Sequence, residues 1–112
     1  MMDISKMIES LKKVRNVVDI AVISDKGAYL DGTVKQNVER RMIFAGMAAL
    51  FKTALRISSV LNGGITKWIT IKDSNGYTIA RKIEEDKILI FTANASADLF
   101  YVLKESDKIV NL

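Results

Sequence analysis

The 112-residue sequence has no cysteine, no histidine and no proline. Without cysteine there is no disulfide, no thiolate nucleophile and no Cys-ligated zinc. Without histidine it lacks the usual general base and the commonest metal ligand. Ser24 and Ser96 therefore have no histidine to activate them for nucleophilic attack. Aromatic residues make up only 7% of the chain, and Trp68 is the sole tryptophan. No uninterrupted apolar run approaches the ~18 residues of a membrane span. The N-terminal MMDISKMIES mixes Asp3 and Glu9 with short apolar steps, which is not the pattern of a secretory leader. No Gly-x-x-x-x-Gly-Lys-Ser/Thr loop occurs, and no Gly-x-Gly-x-x-Gly follows a strand, so neither phosphate cradle is present.

What is there has the composition of a folded domain: 49% hydrophobic and 27% charged residues, with no low-complexity segment. We expect one domain over 1–112, soluble and cytoplasmic, with no membrane insertion. The net charge of +4 is unevenly spread. Residues 1–37 carry six cations and five acids, residues 62–112 seven of each, and residues 38–61 four cations against one acid. Three of the four net charges sit on that middle stretch.

The middle stretch, Val38–Leu61, is Ala-rich, contains a single Gly and ends in Asn62-Gly63-Gly64. It reads as one long helix closed by a left-handed cap. At ~100° per residue it divides into three arcs. Ile43, Met47, Leu50, Phe51, Ala54, Ile57 and Leu61, flanked by Phe44 and Leu55, form a broad apolar arc expected to face a sheet. Met42, Ala45, Gly46, Ala49, Thr53 and Val60 form a second arc of mostly small residues. Arg41, Ala48, Lys52 and Ser59 are left for water, with Arg56 at the edge of the small arc. A helix apolar over so much of its circumference is buried on more than one side. It is either the core helix of a monomer or, since a short chain has little with which to wrap it, a helix shared with a second copy.

In chain order, Ile4, Met7, Ile8, Leu11 and Val14 recur at helical spacing behind Asp3 or Ser5 as N-cap. Val17–Ser24 is an almost unbroken apolar run, the mark of a doubly buried strand. Asp25-Lys26-Gly27 turns it into a short strand at Ala28–Asp31. Asp19, Asp25 and Asp31 have no calcium-loop spacing and read as turn acids. Asn37 is a natural cap for the long helix. Three strands follow: Ile65–Lys72, then 77–83 beyond the Asp73-Ser74-Asn75-Gly76 turn, then 88–93 beyond Glu84-Glu85-Asp86-Lys87. The adjacent carboxylates of that last turn read as solvated, not as a catalytic pair. A helix from about Ala97 to Ser106, capped by Ser96 or Asn94, closes the pattern, and the tail from Lys108 has no assignment.

The expected fold is thus α+β, in the order α-β-β-α-β-β-β-α, with a five-stranded antiparallel sheet. The long central helix takes one face and the terminal helices the other, because two strands are apolar on both sides. Strands 17–24 and 88–93 belong in the middle and 65–72 at an edge, where it is an open template for pairing. Trp68 on that edge could anchor a partner, and equally fits the core or a dimer seam.

Several segments together resemble the Roadblock/LC7 (dynein light chain-type) family. They are Leu11-Lys12-Lys13-Val14 before Val17, Ala21–Gly27, the Ala-rich helix ending Leu61-Asn62-Gly63-Gly64, the Asn75-Gly76 hairpin, and Ile88–Phe91 before Asn94–Leu99. The resemblance spans nearly the whole chain. It departs at Asn16 and Asp19, where the family tends to place Gly before the first strand. The resemblance implies a dimer joined by long helices and edge strands, and a non-enzymatic regulator or adaptor of a small Ras-like GTPase. It also implies, as an alternative, a scaffold subunit of a larger complex.

The expected homodimer interface is Met42, Ala45, Gly46, Ala49, Thr53 and Val60 on the helix with Ile65, Lys67, Trp68, Ile69 and Ile71 on the edge strand. The expected partner surface is Arg41, Lys52 and Arg56, which fall within about 60° of one another around the helix. No catalytic residue, cofactor or metal ligand is expected. A basic RNA-binding sheet domain is the rival reading; the pI of about 9.4 favours it. The absence of paired aromatics on the central strands opposes it. An enzyme subunit whose active site a partner completes is the remaining class.

Overall fold

The computed structural model describes residues 3–111, and in it Asp3 opens the first helix, its carboxylate accepting the Lys6 N–H at 3.1 Å. That helix, α1 (Ile4–Lys12), buries Met7, Ile8 and Leu11 along one stripe. Asn16 then takes φ 72°, the left-handed region. Asparagine tolerates this conformation better than other residues with a side chain. A turn that commonly calls for glycine is thus made by Asn16, whose carbonyl accepts the Asn94 N–H at 3.0 Å.

β1 (Val17–Ser24) and β2 (Tyr29–Gly32) form the first hairpin. Ser24 is spent on its turn, its hydroxyl oxygen accepting the N–H groups of Lys26 and Ala28. The long helix α2 spans Val38–Asn62, with Asn37 capping Arg40 N–H at 2.8 Å. Gly63 at φ 63° closes it, and the N–H groups of Gly63 and Gly64 return to Ser59 and Ser58 carbonyls. β3 (Trp68–Asp73), β4 (Gly76–Glu84) and β5 (Lys87–Asn94) form an antiparallel meander, and α3 (Leu99–Val110) completes the chain. The sheet order is β2-β1-β5-β4-β3, with every neighbour antiparallel.

The two faces of the sheet carry separate cores, as two doubly apolar strands require. Ile20, Val22, Ile79, Leu89 and Phe91 pack against α1 and α3. Ala21, Ile23, Ala80, Ile88 and Ile90 pack against α2 through Phe44, Met47, Ala48 and Phe51. β5 is central and β3 is an edge, as expected.

Four expectations need correction. The third strand begins at Trp68, not Ile65, because Thr66 folds back on α2, donating to the Ala54 carbonyl at 2.9 Å and bonding the Ser58 hydroxyl. The last helix is capped by Asp98, neither Ser96 nor Asn94, and runs on through Val110, which is buried; Leu112 lies outside the described residues. Asn94 instead holds the turn, accepting Ser96 N–H and bonding Asn16.

The third correction is the phase of α2. Ala48, assigned to water, is 3% exposed, whereas Leu50, Ile57 and Leu61, assigned to the sheet, are 42%, 53% and 74% exposed. The stripe that meets the sheet is Phe44-Met47-Ala48-Phe51, continued by the half-buried Leu55 and Ser58. Apolar periodicity marks the centre of all the apolar surface, and this helix has apolar surface beyond what its own sheet covers. Finally, α2 is by length and composition alone apolar enough to cross a membrane, which the count of uninterrupted runs missed.

Candidate interaction surface

Once Phe44, Met47, Ala48 and Phe51 are seated, the rest of α2 is open. Met42, Ile43, Leu50, Ile57, Val60 and Leu61 are all exposed. At about 100° per residue they fall, with Gly46 and Thr53, on one arc some 100° wide beside the buried stripe. This arc overhangs one end of the sheet, where Asp19 of β1, Thr92 of β5, Thr78 of β4 and Ile71 of β3 form a row across the strands. A groove of about 540 Å³ lies between Ile43, Gly46, Met47 and Leu50 of the helix and Ile71, Thr78 and Thr92 of the sheet. Exposed, contiguous apolar surface of this kind marks a place where something binds. β3 lines the groove through Ile71, and its outer edge pairs with no strand among the described residues.

The expected interface residues divide on inspection. Met42, Gly46, Thr53 and Val60 lie on the open arc. Ala45 and Ala49 are exposed but sit round the crest, and Ala45 faces the β1–β2 turn: a Cβ added to Gly27 would stand 2.6 Å from its Cα. On β3, Ile71 opens into the groove, while Ile69 packs under α2 and Trp68 against the opposite core. Ile65 and Lys67 precede the strand and are exposed.

Arg41, Lys52 and Arg56 are all exposed, and none forms an ion pair among the described residues. Arg41 and Lys52 share the flank of α2 that faces the β1–β2 turn, with Arg56 nearer the crest. This flank lies on the other side of the helix from the groove.

The acids singled out from sequence do not converge. Among the described residues no group of three Asp or Glu is placed to hold a metal ion. Glu84 and Asp86 both bind Lys87 at 3.1 Å, and Glu85 pairs with Lys82 at 3.4 Å. The Lys87 bond lowers the Asp86 pKa, and the two carboxylates raise that of Lys87.

One residue escaped the sequence reading. Arg81 of β4 is buried, donating to Asp107 of α3 at 3.1 Å with its guanidinium 5.8 Å from the Trp68 ring centre. Its Nε–H is buried without a partner. The alternation Tyr77, Ile79, Arg81, Ile83 could have located it, since it puts the arginine on the α3 face.

At the level of sequence, no protein-family profile and no curated protein matches the chain. The fold is decisive where sequence is silent: it is that of Roadblock/LC7 domains. A Roadblock/LC7 domain from Streptomyces avermitilis superposes with TM-score 0.83 at 13% identity, over 98% of this chain and 93% of that one. MglB of Myxococcus xanthus does so with TM-score 0.81 at 10% identity, over 98% and 93%. Profilin IA of Acanthamoeba castellanii is similar at TM-score 0.67 and 14% identity, over 96% and 92%. At these identities the likeness is one of fold.

Proposed function

We propose that this chain is a non-enzymatic homodimeric adaptor or regulator of a small Ras-like GTPase, working in the cytoplasm. The observation that carries it is the open apolar arc of α2 beside the unpaired edge of β3, in a chain with the Roadblock/LC7 fold. A second copy is the occupant that suits both at once. Its α2 would cover Met42, Gly46, Leu50, Thr53, Ile57 and Val60, while its β3 would pair with this β3 and remove the open edge. The side chains of Trp68 and Ile69 serve this chain's own cores, so β3 contributes mainly main-chain hydrogen bonds and Ile71.

The Roadblock/LC7 resemblance supplies the partner class, and the unpaired cations Arg41, Lys52 and Arg56 supply a surface complementary to acidic switch-region charge. The protein alone should bind no GTP, having no phosphate loop. Affinity capture from native lysate, read by mass spectrometry, tests the reading: a Ras-like GTPase should be retained. The triple Ala variant at positions 41, 52 and 56 should stay folded and dimeric, yet bind that GTPase more weakly and with less salt dependence. Capture of no GTPase, or unchanged binding by the variant, refutes the respective part.

A further inference from the structure

Gly27 allows the β1–β2 turn to touch α2. A Cβ there would meet Ala45 Cα at 2.6 Å and Phe44 O at 3.1 Å, so no other residue permits so close an approach. The contact carries exposed Lys26, one Cα step or ~3.8 Å from Gly27, to the flank of α2 that bears Arg41 and Lys52. Arg41 stands one helical turn before Ala45 and Lys52 two turns after it, ~6 and ~10 Å along the axis. Arg56 lies one turn beyond Lys52. Between these four cations the surface is floored by the methyl groups of Ala45 and Ala49.

The acidic β4–β5 turn stands beside the β1–β2 turn, its Asp86 carbonyl accepting the Asp25 N–H at 2.9 Å, but its three carboxylates are already paired with Lys82 and Lys87. The ion pairs among the described residues lie on α1, on α3 and its contact with β4, and around the β4–β5 turn; none includes Lys26, Arg41, Lys52 or Arg56. Asp25, in the turn itself, is half-buried and forms no ion pair among the described residues. Glu39 projects from α2 toward the other flank, about 160° from Arg41.

We propose that this flank, with Lys26 as a fourth determinant, docks an acidic segment of a partner protein. The proposal rests on the partner-docking reading above and sharpens it. The docking site lies on the side of α2 away from the groove, so each protomer of a dimer presents a complete site. Alanine methyl groups ringed by cations suit a protein main chain with Asp or Glu side chains. A nucleic acid would want exposed rings on which to stack. The aromatics nearest this flank, Tyr29 and Phe44, stack on each other with centroids 5.9 Å apart, and Phe44 is buried.

The test is an NMR titration of ¹⁵N-labelled protein at low salt with a deca-glutamate peptide and, separately, with a single-stranded oligonucleotide of equal charge. Amide shifts on peptide addition should cluster at Lys26, Ala45, Ala49 and Lys52. Lys26→Glu should weaken peptide binding by at least about fivefold, with Lys104→Glu on α3, at the opposite face of the sheet, staying within about twofold of the parent. Shifts centred on Gly46 and Ile71, no saturable shift, or tighter binding of the oligonucleotide would each overturn the proposal. The two readings fail separately. A captured GTPase that binds parent and Lys26→Glu equally leaves the adaptor function standing and removes this site.

Discussion

At the scale of single residues, the decisive contrast lies between Phe51 and Leu50, neighbours on α2 with opposite fates. Phe51 is 1% exposed, and Phe51→Ala should cost about 3–5 kcal/mol, because it leaves a cavity under the helix that the sheet cannot refill. Leu50 is half open to the groove, so in the monomeric fold Leu50→Ala should cost no more than about 1–2 kcal/mol. Lys52→Ala, on the solvated flank, should stay within about 0.5 kcal/mol. Urea melts of the three variants at low concentration test the order; Leu50→Ala as damaging as Phe51→Ala would refute the helical phase described here. Arg81 offers a second test. Asp107→Ala strips a buried guanidinium of the one carboxylate it pairs with among the described residues, but Asp107 is 47% exposed and water can partly replace it. The cost should be about 1–3 kcal/mol, below that of a fully enclosed pair. Adding Arg81→Met should recover most of the loss, since an apolar side chain of similar length needs no countercharge; a strictly additive double variant in the same melts would contradict this.

At the scale of elements, much was legible because local chemistry and tertiary need agree. Asp3, Asn37 and the Gly63-Gly64 pair mark helix ends through side-chain and left-handed caps that function wherever the helix packs. The apolar runs at β1 and β5 required two covered faces, which fixed the strands at the centre and the helices on opposite sides. What was not legible depended on long-range partners. Thr66 leaves the sheet because Ala54 and Ser58 bind it across a chain reversal, and no alternation of Ile and Lys reports that. Asp98 displaces the nearer cap candidates because Asn94 is engaged with Asn16, 78 residues away in sequence. The phase of α2 was misread for a different reason: two apolar stripes adjoin, and their sum points between them. Ala48 carries this lesson. Ala48→Lys should unfold the chain, since it would force an ammonium between α2 and the sheet, whereas Ala49→Lys should leave the monomeric fold intact. Circular dichroism on both variants distinguishes the observed phase from the one periodicity suggested.

At the scale of the whole molecule, the α2 face of the sheet is unfinished, and the candidate site is that unfinished part. The terminal helices cover their face, but α2 alone cannot cover the other, and the outer edge of β3 pairs with no strand among the described residues. We predict a stable dimer at micromolar concentration by sedimentation velocity; a monomer would end the dimer proposal. The cleanest perturbation is Gly46→Arg. A Cβ at Gly46 meets nothing within 4 Å, so the substitution fits the single chain without strain. Replacing a mid-helix glycine should even favour α2 by up to about 1 kcal/mol. Yet Gly46 lies in the middle of the open apolar arc, where a second α2 would have to approach most closely. A guanidinium there would be buried without a carboxylate, which is worth about 3–5 kcal/mol against association, or roughly two to four decades in the dimer constant. Gly46→Arg should therefore sediment as a folded monomer whose amide spectrum keeps the dispersion of a native sheet. If it dimerises as the parent does, the two copies meet on some other face, and the arc between Met42 and Leu61 needs a different occupant.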